Sequence, residues 1–148
     1  MTNELLSEKK LQNQAESELL RLPEKVLQFG TGVLLRGLPC YLIDRANRQG
    51  IFQGRVVVVK STDQGDLGAF ERQNYLYTVC TRGIHEGQIV HKNEICTAIS
   101  RILAAKSQWQ EILACAANPQ LGIVISNTTE AGIVLQHESL DKGIPASF

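Results

Sequence analysis

A run of four valines constrains the fold of this chain more than any other feature. Residues Val56 to Val59 stand between Arg55 and Lys60 with no polar residue among them. β-branched residues favour strands, and a strand that is apolar at every position is typical of one that is buried on both faces. Such strands occur in parallel sheets whose two sides are covered by helices. The run therefore predicts an α/β fold in which residues 55–60 form an inner strand.

A second short apolar run predicts another buried strand, which leads into a turn rich in glycine. Residues 26–29 are Val-Leu-Gln-Phe, and Gly30-Thr31-Gly32 follow directly. From residue 33 to residue 47 the apolar side chains recur at helical spacing. Pro39 disrupts a regular helix because it lacks an N–H group and clashes with the preceding turn. We therefore expect either a kink at this position or a helix that restarts near Leu38.

The rest of the chain adds further elements to the same pattern. It predicts a hairpin with strands at 76–81 and 88–94 joined through 82–87, a helix with Ser107 and Gln110 as its capping box and Asn118-Pro119 as its end, and a buried strand at 121–125. Strands that alternate with helices indicate a parallel sheet with helices on both sides.

The predicted fold is a Rossmann-like, doubly wound, mainly parallel sheet with an inserted β-hairpin. This domain takes in residues 22–148, and a helical appendage at residues 1–21, either docked or solvated, precedes it. A length of 148 residues suits one domain. Because doubly wound domains normally continue with more strands, we expect the sequence to stop before the domain is complete.

The glycines at the strand-to-helix junction suit a diphosphate. Gly30 permits a tight turn with positive φ, and Gly32 lets the main chain approach a pyrophosphate at the start of a helix. Leu35 replaces the third glycine of the dinucleotide-binding fingerprint. Because G-x-G is also common in ordinary turns, the residues alone leave nucleotide binding and a simple turn as equal alternatives. The candidate cofactor-binding residues here are Gly30, Thr31, Gly32, Val33 and Leu34.

Three charged residues are expected near this edge of the sheet, where they could contact a nucleotide. Arg36, in the first helical turn, faces either a phosphate or an ion-pair partner and solvent. Asp63 is the first carboxylate after the valine strand, so it is either the ligand of the adenosine ribose or a turn-forming residue. Lys60 leaves the choice between NAD and NADP open, because a cation there could attract the additional phosphate of NADP.

A polar group follows the last predicted strand. Asn127, Thr128 and Thr129 either hydrogen-bond the nicotinamide ribose or carboxamide, or cap the local backbone. Glu130 either relays the proton that accompanies hydride transfer or caps the next helix. Ligands of open parallel sheets bind beyond the carboxyl ends of the strands, so these residues and the glycine turn are expected to face one crevice.

Two segments resemble the long-chain mannitol dehydrogenase family. Residues 26–37, VLQFGTGVLLRG, are similar to the G-x-G-x-F-x-R signature of that family, and residues 126–133, SNTTEAGI, are similar to a block at the end of a later strand. Residues 74–78, NYLYT, before an Arg-Gly turn fit the same family. The resemblance covers residues 22–148 and departs from the family at Leu34, where phenylalanine is usual.

The resemblance implies an NAD-dependent oxidoreductase that acts on a CH-OH group. It is closest to the branch that interconverts tagaturonate and altronate in hexuronate catabolism, with NAD(H) and a sugar acid as partners. Mannitol, fructuronate and mannitol-phosphate dehydrogenases of the same family remain alternatives, as does a non-catalytic nucleotide-sensing domain. In the family a catalytic lysine lies in a second, mainly helical domain, so we expect this chain to bind nucleotide without turnover.

Charge and cysteine content exclude several other classes. Fifteen basic residues balance fifteen acidic ones, which gives no reason to expect nucleic acid or an anionic membrane as a partner. None of the four cysteines forms a C-x-x-C pair, so we expect reduced thiols in a cytoplasmic protein and no metal site. No secretory signal and no apolar stretch of membrane-spanning length is visible in the sequence.

Overall fold

The structure is a computed structural model that describes residue 6 together with residues 14–62 and 67–128. In chain order these residues form α1 (Gln14–Leu19), β1 (Glu24–Phe29), α2 (Val33–Leu35), a π-helical turn (Arg36–Cys40), α3 (Tyr41–Arg48), β2 (Arg55–Lys60), α4 (Gly68–Glu71), β3 (Tyr77–His85), β4 (Gln88–Cys96), β5 (Ile99–Ala104), α5 (Trp109–Ala116) and β6 (Ile123–Ser126). No helix in the described ranges combines the length and the apolar character that crossing a bilayer requires.

Four parallel strands form the main sheet in the order β5-β2-β1-β6. The valine run occupies β2, and each of its four valines is at most 1% exposed. Val56 and Val58 pack beneath α3 and the π-helical turn, whereas Val57 and Val59 pack with Ile112 of α5 on the opposite face. The predicted parallel sheet with helices on both sides is therefore confirmed.

The helical segment after the glycine turn extends from Val33 to Arg48, but it is not a regular α-helix. Its π-helical turn contains Pro39. Proline cannot donate to the carbonyl four residues earlier, and the wider π-helical turn accommodates it without ending the helix. The alternative of a restart near Leu38 is therefore wrong, and the irregularity at Pro39 is a π-helical turn.

β3 and β4 pair antiparallel in a separate two-stranded sheet, which confirms the inserted hairpin. The strands are longer than the sequence suggests, so that only Glu86 and Gly87 remain as the turn. Both residues have positive φ, 50° and 76°, as a two-residue hairpin turn of type I′ requires. The Arg82-Gly83 step, expected in the turn, lies within β3.

β5 is absent from the predicted order of elements. Its apolar residues are interrupted by Ser100 and Arg101, which mask the strand pattern. Both side chains bind the carboxylate of Glu24 in β1, since the Ser100 hydroxyl and Nε of Arg101 each donate to it at 2.9 Å. The two polar residues of β5 thus bind Glu24, the first residue of β1.

Two local predictions at the C-terminal end of the described chain are wrong. No side chain caps α5, so the Ser107 and Gln110 capping box does not form. Gln108 instead accepts a hydrogen bond from the amide of Ala104 at 2.9 Å through its side-chain oxygen. The expected burial of the last strand is also not observed, because β6 pairs with β1 at the edge of the described sheet, and Val124 is 62% exposed.

Asp44 ties α3 to the segment between β4 and β5. The residue is 2% exposed, and its carboxylate accepts hydrogen bonds from the amide and the hydroxyl of Thr97, each at 2.7 Å. It also accepts a hydrogen bond from Nε of Arg48 at 2.7 Å. Arg48 belongs to α3 itself, whereas Thr97 lies between β4 and β5, so the bonds to Thr97 fix the position of α3 against the sheet.

Candidate nucleotide-binding site

The glycine turn lies at the point where the order of the strands reverses. From β1 the chain proceeds to β2 and then β5 on one side, whereas β6 returns to the other side of β1. Phe29, the last residue of β1, pairs with Ser126, the last residue of β6. The amide of Gly30 donates to the carbonyl of Val59 in β2 at 2.9 Å. The turn is therefore held at the carboxyl edge of the sheet, where open α/β folds bind their ligands.

The two glycines of the turn differ in backbone conformation and in the space around them. Gly30 has φ of +112°, a conformation that other residues rarely adopt, and a Cβ there would lie 3.0 Å from Cδ1 of Leu35. Gly32 has φ of −63° and ψ of 157°, and a Cβ there would meet no atom within 4 Å. Gly30 is therefore needed for the shape of the turn, while Gly32 faces open space.

The first amides of the helical segment are available to a ligand. The first helical hydrogen bond runs from the amide of Arg36 to the carbonyl of Gly32, at 3.2 Å. Among the described residues, the amides of Thr31, Gly32 and Val33 donate to no acceptor. Unpaired amides at a helix start, together with the positive end of the helix dipole, form a site for anions such as phosphate.

Apolar side chains stand beside these amides. Val33 is 76% exposed and Leu34 is 59% exposed, and both are among the residues that the sequence predicts to bind the cofactor. Leu35, which replaces the third fingerprint glycine, is instead buried and packs beneath Gly30. The replacement therefore lies on the protein side of the turn and leaves the outer side free.

Arg36 is held by protein groups. Its guanidinium donates to the carbonyl of Thr31 and lies over the ring of Phe70, 5.2 Å from the ring centroid. Its own carbonyl accepts a hydrogen bond from the hydroxyl of Tyr77 at 2.8 Å. The structure thus places Arg36 beside the glycine turn, with its guanidinium directed at the turn's backbone.

Gln28 is a residue of the site that the sequence reasoning missed. It is fully buried in β1, and its Nε2 donates to the carbonyl of Gly30 at 3.1 Å. Its side-chain oxygen accepts a hydrogen bond from the thiol of Cys40 at 3.2 Å. The signal in the sequence was one polar residue in an otherwise apolar strand, two positions before the glycine.

Burial keeps the groups beneath the turn uncharged. Burial raises the pKa of the Cys40 thiol to about 11 and also raises the pKa of the Tyr77 hydroxyl. Both groups are therefore protonated at neutral pH and can act as hydrogen-bond donors. In the part of the chain that the structure describes, no cluster of three or more His, Cys, Asp and Glu side chains could hold a metal ion.

The remaining candidates lie on both sides of the turn. Asn127 and Thr128 are exposed and follow directly after Ser126, which places them beside the turn at the carboxyl end of β6. Lys60 ends β2 and is 9% exposed. Asp63 and Glu130, the proposed ribose ligand and proton relay, lie outside the described residues, as does Thr129.

Comparison with known proteins finds several relatives that are altronate oxidoreductases. The chain is 45% identical over 130 residues to the altronate oxidoreductase of Halalkalibacterium halodurans, with 86% of this chain and 25% of the relative covered. It is 36% identical over 125 residues to that of Bacillus subtilis, with 84% and 26% covered. The chain is therefore similar to one part of the altronate oxidoreductases. It spans about a quarter of the length of these relatives, and no model of a known protein family matches it.

Solved structures of two dehydrogenases share the fold of this chain. The ternary complex of Pseudomonas fluorescens mannitol 2-dehydrogenase with NAD and D-mannitol gives a TM-score of 0.66 at 23% identity, covering 77% of this chain and 23% of that one. D-Sorbitol dehydrogenase in substrate-free form gives a TM-score of 0.65 at 19% identity, covering 87% and 28%.

Proposed function

We propose that this chain is the nucleotide-binding part of an NAD-dependent oxidoreductase that interconverts tagaturonate and altronate. The observation that carries the proposal is the glycine turn, which leaves unpaired amides and open space at the carboxyl edge of a doubly wound sheet. The choice of substrate rests on the 45% identity to an altronate oxidoreductase. The structural neighbour that binds NAD with D-mannitol supports the choice of cofactor.

The residues at the turn fit the diphosphate of NAD. The amides of Thr31, Gly32 and Val33 would donate to it, and the absence of a side chain at Gly32 leaves room for the ligand. Asn127 and Thr128 would hydrogen-bond the nicotinamide half of the same ligand, a role supported by their position directly after β6. NAD is favoured over NADP because Lys60, the cation that could attract an additional phosphate, is nearly buried.

The chemistry divides between cofactor and protein. When bound, NADH would supply the hydride for reduction of the carbonyl carbon of tagaturonate, and the carbonyl oxygen must also gain a proton. This chain would bind and orient the cofactor. Glu130 remains a candidate to relay the proton, while the proton donor itself is expected in the larger part of the protein that the relatives contain.

Two measurements test the proposal. Titration of the chain with NADH and NADPH should give saturable binding that is tighter for NADH. A longer protein that contains this chain and has the full length of the relatives should oxidise NADH in the presence of tagaturonate. It should oxidise NADH more slowly with fructuronate or fructose. Absence of NADH binding would refute the nucleotide site, and preference for another sugar would refute the substrate. Binding without turnover of any sugar in the longer protein would instead indicate a nucleotide sensor.

A further inference from the structure

We propose that Gln28 and Arg36 are positioning residues, which fix the glycine turn so that its amides face the diphosphate. The inference rests on the proposed function, because it concerns how the same site recognises its ligand. Neither side chain needs to touch the nucleotide. Each holds a backbone carbonyl on the protein side of the turn.

The geometry of the peptide unit carries the argument. In a planar trans peptide the C=O and N–H groups point in opposite directions. Gln28 binds the carbonyl of Gly30, so the amide of Thr31, which shares that peptide unit, points away from Gln28. Arg36 binds the carbonyl of Thr31, so the amide of Gly32 points away from the guanidinium.

A third peptide unit completes the arrangement. The carbonyl of Gly32 accepts from the amide of Arg36 at 3.2 Å, which directs the amide of Val33 outward as well. Three successive carbonyls are therefore bound by the protein, while the three amides of the same peptide units have no acceptor among the described residues. Arg36 thereby contributes both a side-chain and a main-chain donor to the orientation of the turn.

Both positioning residues are themselves held in place. The Cys40 thiol donates to Gln28 from the π-helical turn. The ring of Phe70 supports the Arg36 guanidinium, and the Tyr77 hydroxyl binds the Arg36 carbonyl. The turn is thus supported from the sheet, from α4 and from the hairpin. A prearranged set of donors loses less entropy on binding than a flexible turn would.

The test compares Arg36→Met with Arg45→Met. Arg45 lies on the same helical segment and stacks on a ring in the same way, with its guanidinium 5.9 Å from the centroid of Tyr41. Its partners are Tyr41 and Glu94, and it makes no contact with the backbone of the turn among the described residues. Two-dimensional NMR of the ¹⁵N-labelled chain gives affinities for ADP and adenosine and, without ligand, the heteronuclear NOE of Thr31 and Gly32. Melting temperatures report on folding.

Arg36→Met should weaken ADP binding about tenfold, since hydrogen bonds to a charged ligand are lost or misdirected, while adenosine binding changes less than about twofold. The NOE of Thr31 and Gly32 should fall in the ligand-free variant. Arg36→Lys, which keeps one donor, should recover part of the ADP affinity. Gln28→Met should behave as Arg36→Met does, and Arg45→Met should match the wild type in every measurement.

Other results would overturn the inference. Unchanged ADP affinity in a folded Arg36→Met variant would show that the guanidinium does not position the turn. Equal losses for ADP and adenosine would indicate general loosening of the domain. If the wild type binds neither ADP nor NADH, the proposed function fails. The ligand-free NOE then decides the positioning role, which a wild-type value in Arg36→Met would refute.

Discussion

Replacement of Gly32 by valine should abolish nucleotide binding and leave folding intact. The backbone at Gly32 is in an extended conformation that valine adopts readily, with φ of −63° and ψ of 157°. A Cβ at this position meets no atom within 4 Å. Gly32 is the N-cap of the helical segment, where valine is less favourable than glycine, so we expect the free energy of unfolding to fall by only about 1 kcal/mol.

The same side chain would occupy the space over the unpaired amides of Gly32 and Val33. A hydrogen bond to a charged group contributes about 1.5–3 kcal/mol. Loss of two such bonds therefore removes about 3 kcal/mol or more, which corresponds to NADH binding that is at least about 100-fold weaker. Isothermal titration with NADH measures the loss, and thermal unfolding of the same sample measures stability.

Two further glycine variants make the experiment specific. Gly122→Val also places its side chain in open space, but at the amino end of β6, so NADH affinity should not change. Gly30→Ala should lower the melting temperature, because an L-residue at φ of +112° is strained by about 1–3 kcal/mol and its Cβ would lie 3.0 Å from Leu35. A stable Gly32→Val variant that binds NADH as tightly as the wild type would refute the placement of the diphosphate on this turn.

Three further predictions concern stability and reactivity. Asp44→Ala should reduce the free energy of unfolding by about 3 kcal/mol, measured with urea, because it leaves the buried donors of Thr97 without an acceptor. Burial alone would raise the pKa of Glu24, but hydrogen bonds from Arg101 and a neighbouring serine outweigh it and lower the pKa below 4.5. Its stabilising contribution is therefore complete above pH 4.5 and is lost as pH falls through the lowered pKa, so Glu24→Gln should flatten the loss of stability below pH 4.5. Cys80 is the one exposed thiol among the four cysteines, so a thiol reagent at pH 8 should modify one group quickly and three slowly, and Cys80→Ser should remove the fast phase.

The central strand and the glycine turn could be predicted because local sequence determines them. Four adjacent valines are compatible with few environments other than the inside of a covered sheet, and β2 has the predicted bounds. Gly30 could be assigned to a turn because it is free to adopt positive φ. In both cases the residue type itself carries the structural constraint.

The remaining features depend on contacts between residues that are distant in the sequence. β5 was missed because Ser100 and Arg101 break its apolar pattern, and their partner Glu24 lies more than 70 residues earlier in the chain. Gln28 was missed because a buried amide is useful only when the carbonyl of Gly30 and the thiol of Cys40 are brought to it by the fold. The supporting contacts of the site therefore had no local signature.

The π-helical turn sets the rotational phase between the two ends of the helical segment. The buried residues of the whole helical segment are Leu35, Cys40, Asp44 and Asn47, at intervals of five, four and three residues. An α-helix advances by about 100° per residue, so Leu35 and Cys40 would face directions about 140° apart without the wider turn. Deletion of one residue within the π-helical turn would therefore rotate the two ends of the helical segment relative to each other. Either Asp44 would lose its partners, or the first amides of the segment would no longer face the crevice. Pro39, which disrupts a regular α-helix, therefore lies in the turn that allows both ends of the helical segment to keep their contacts.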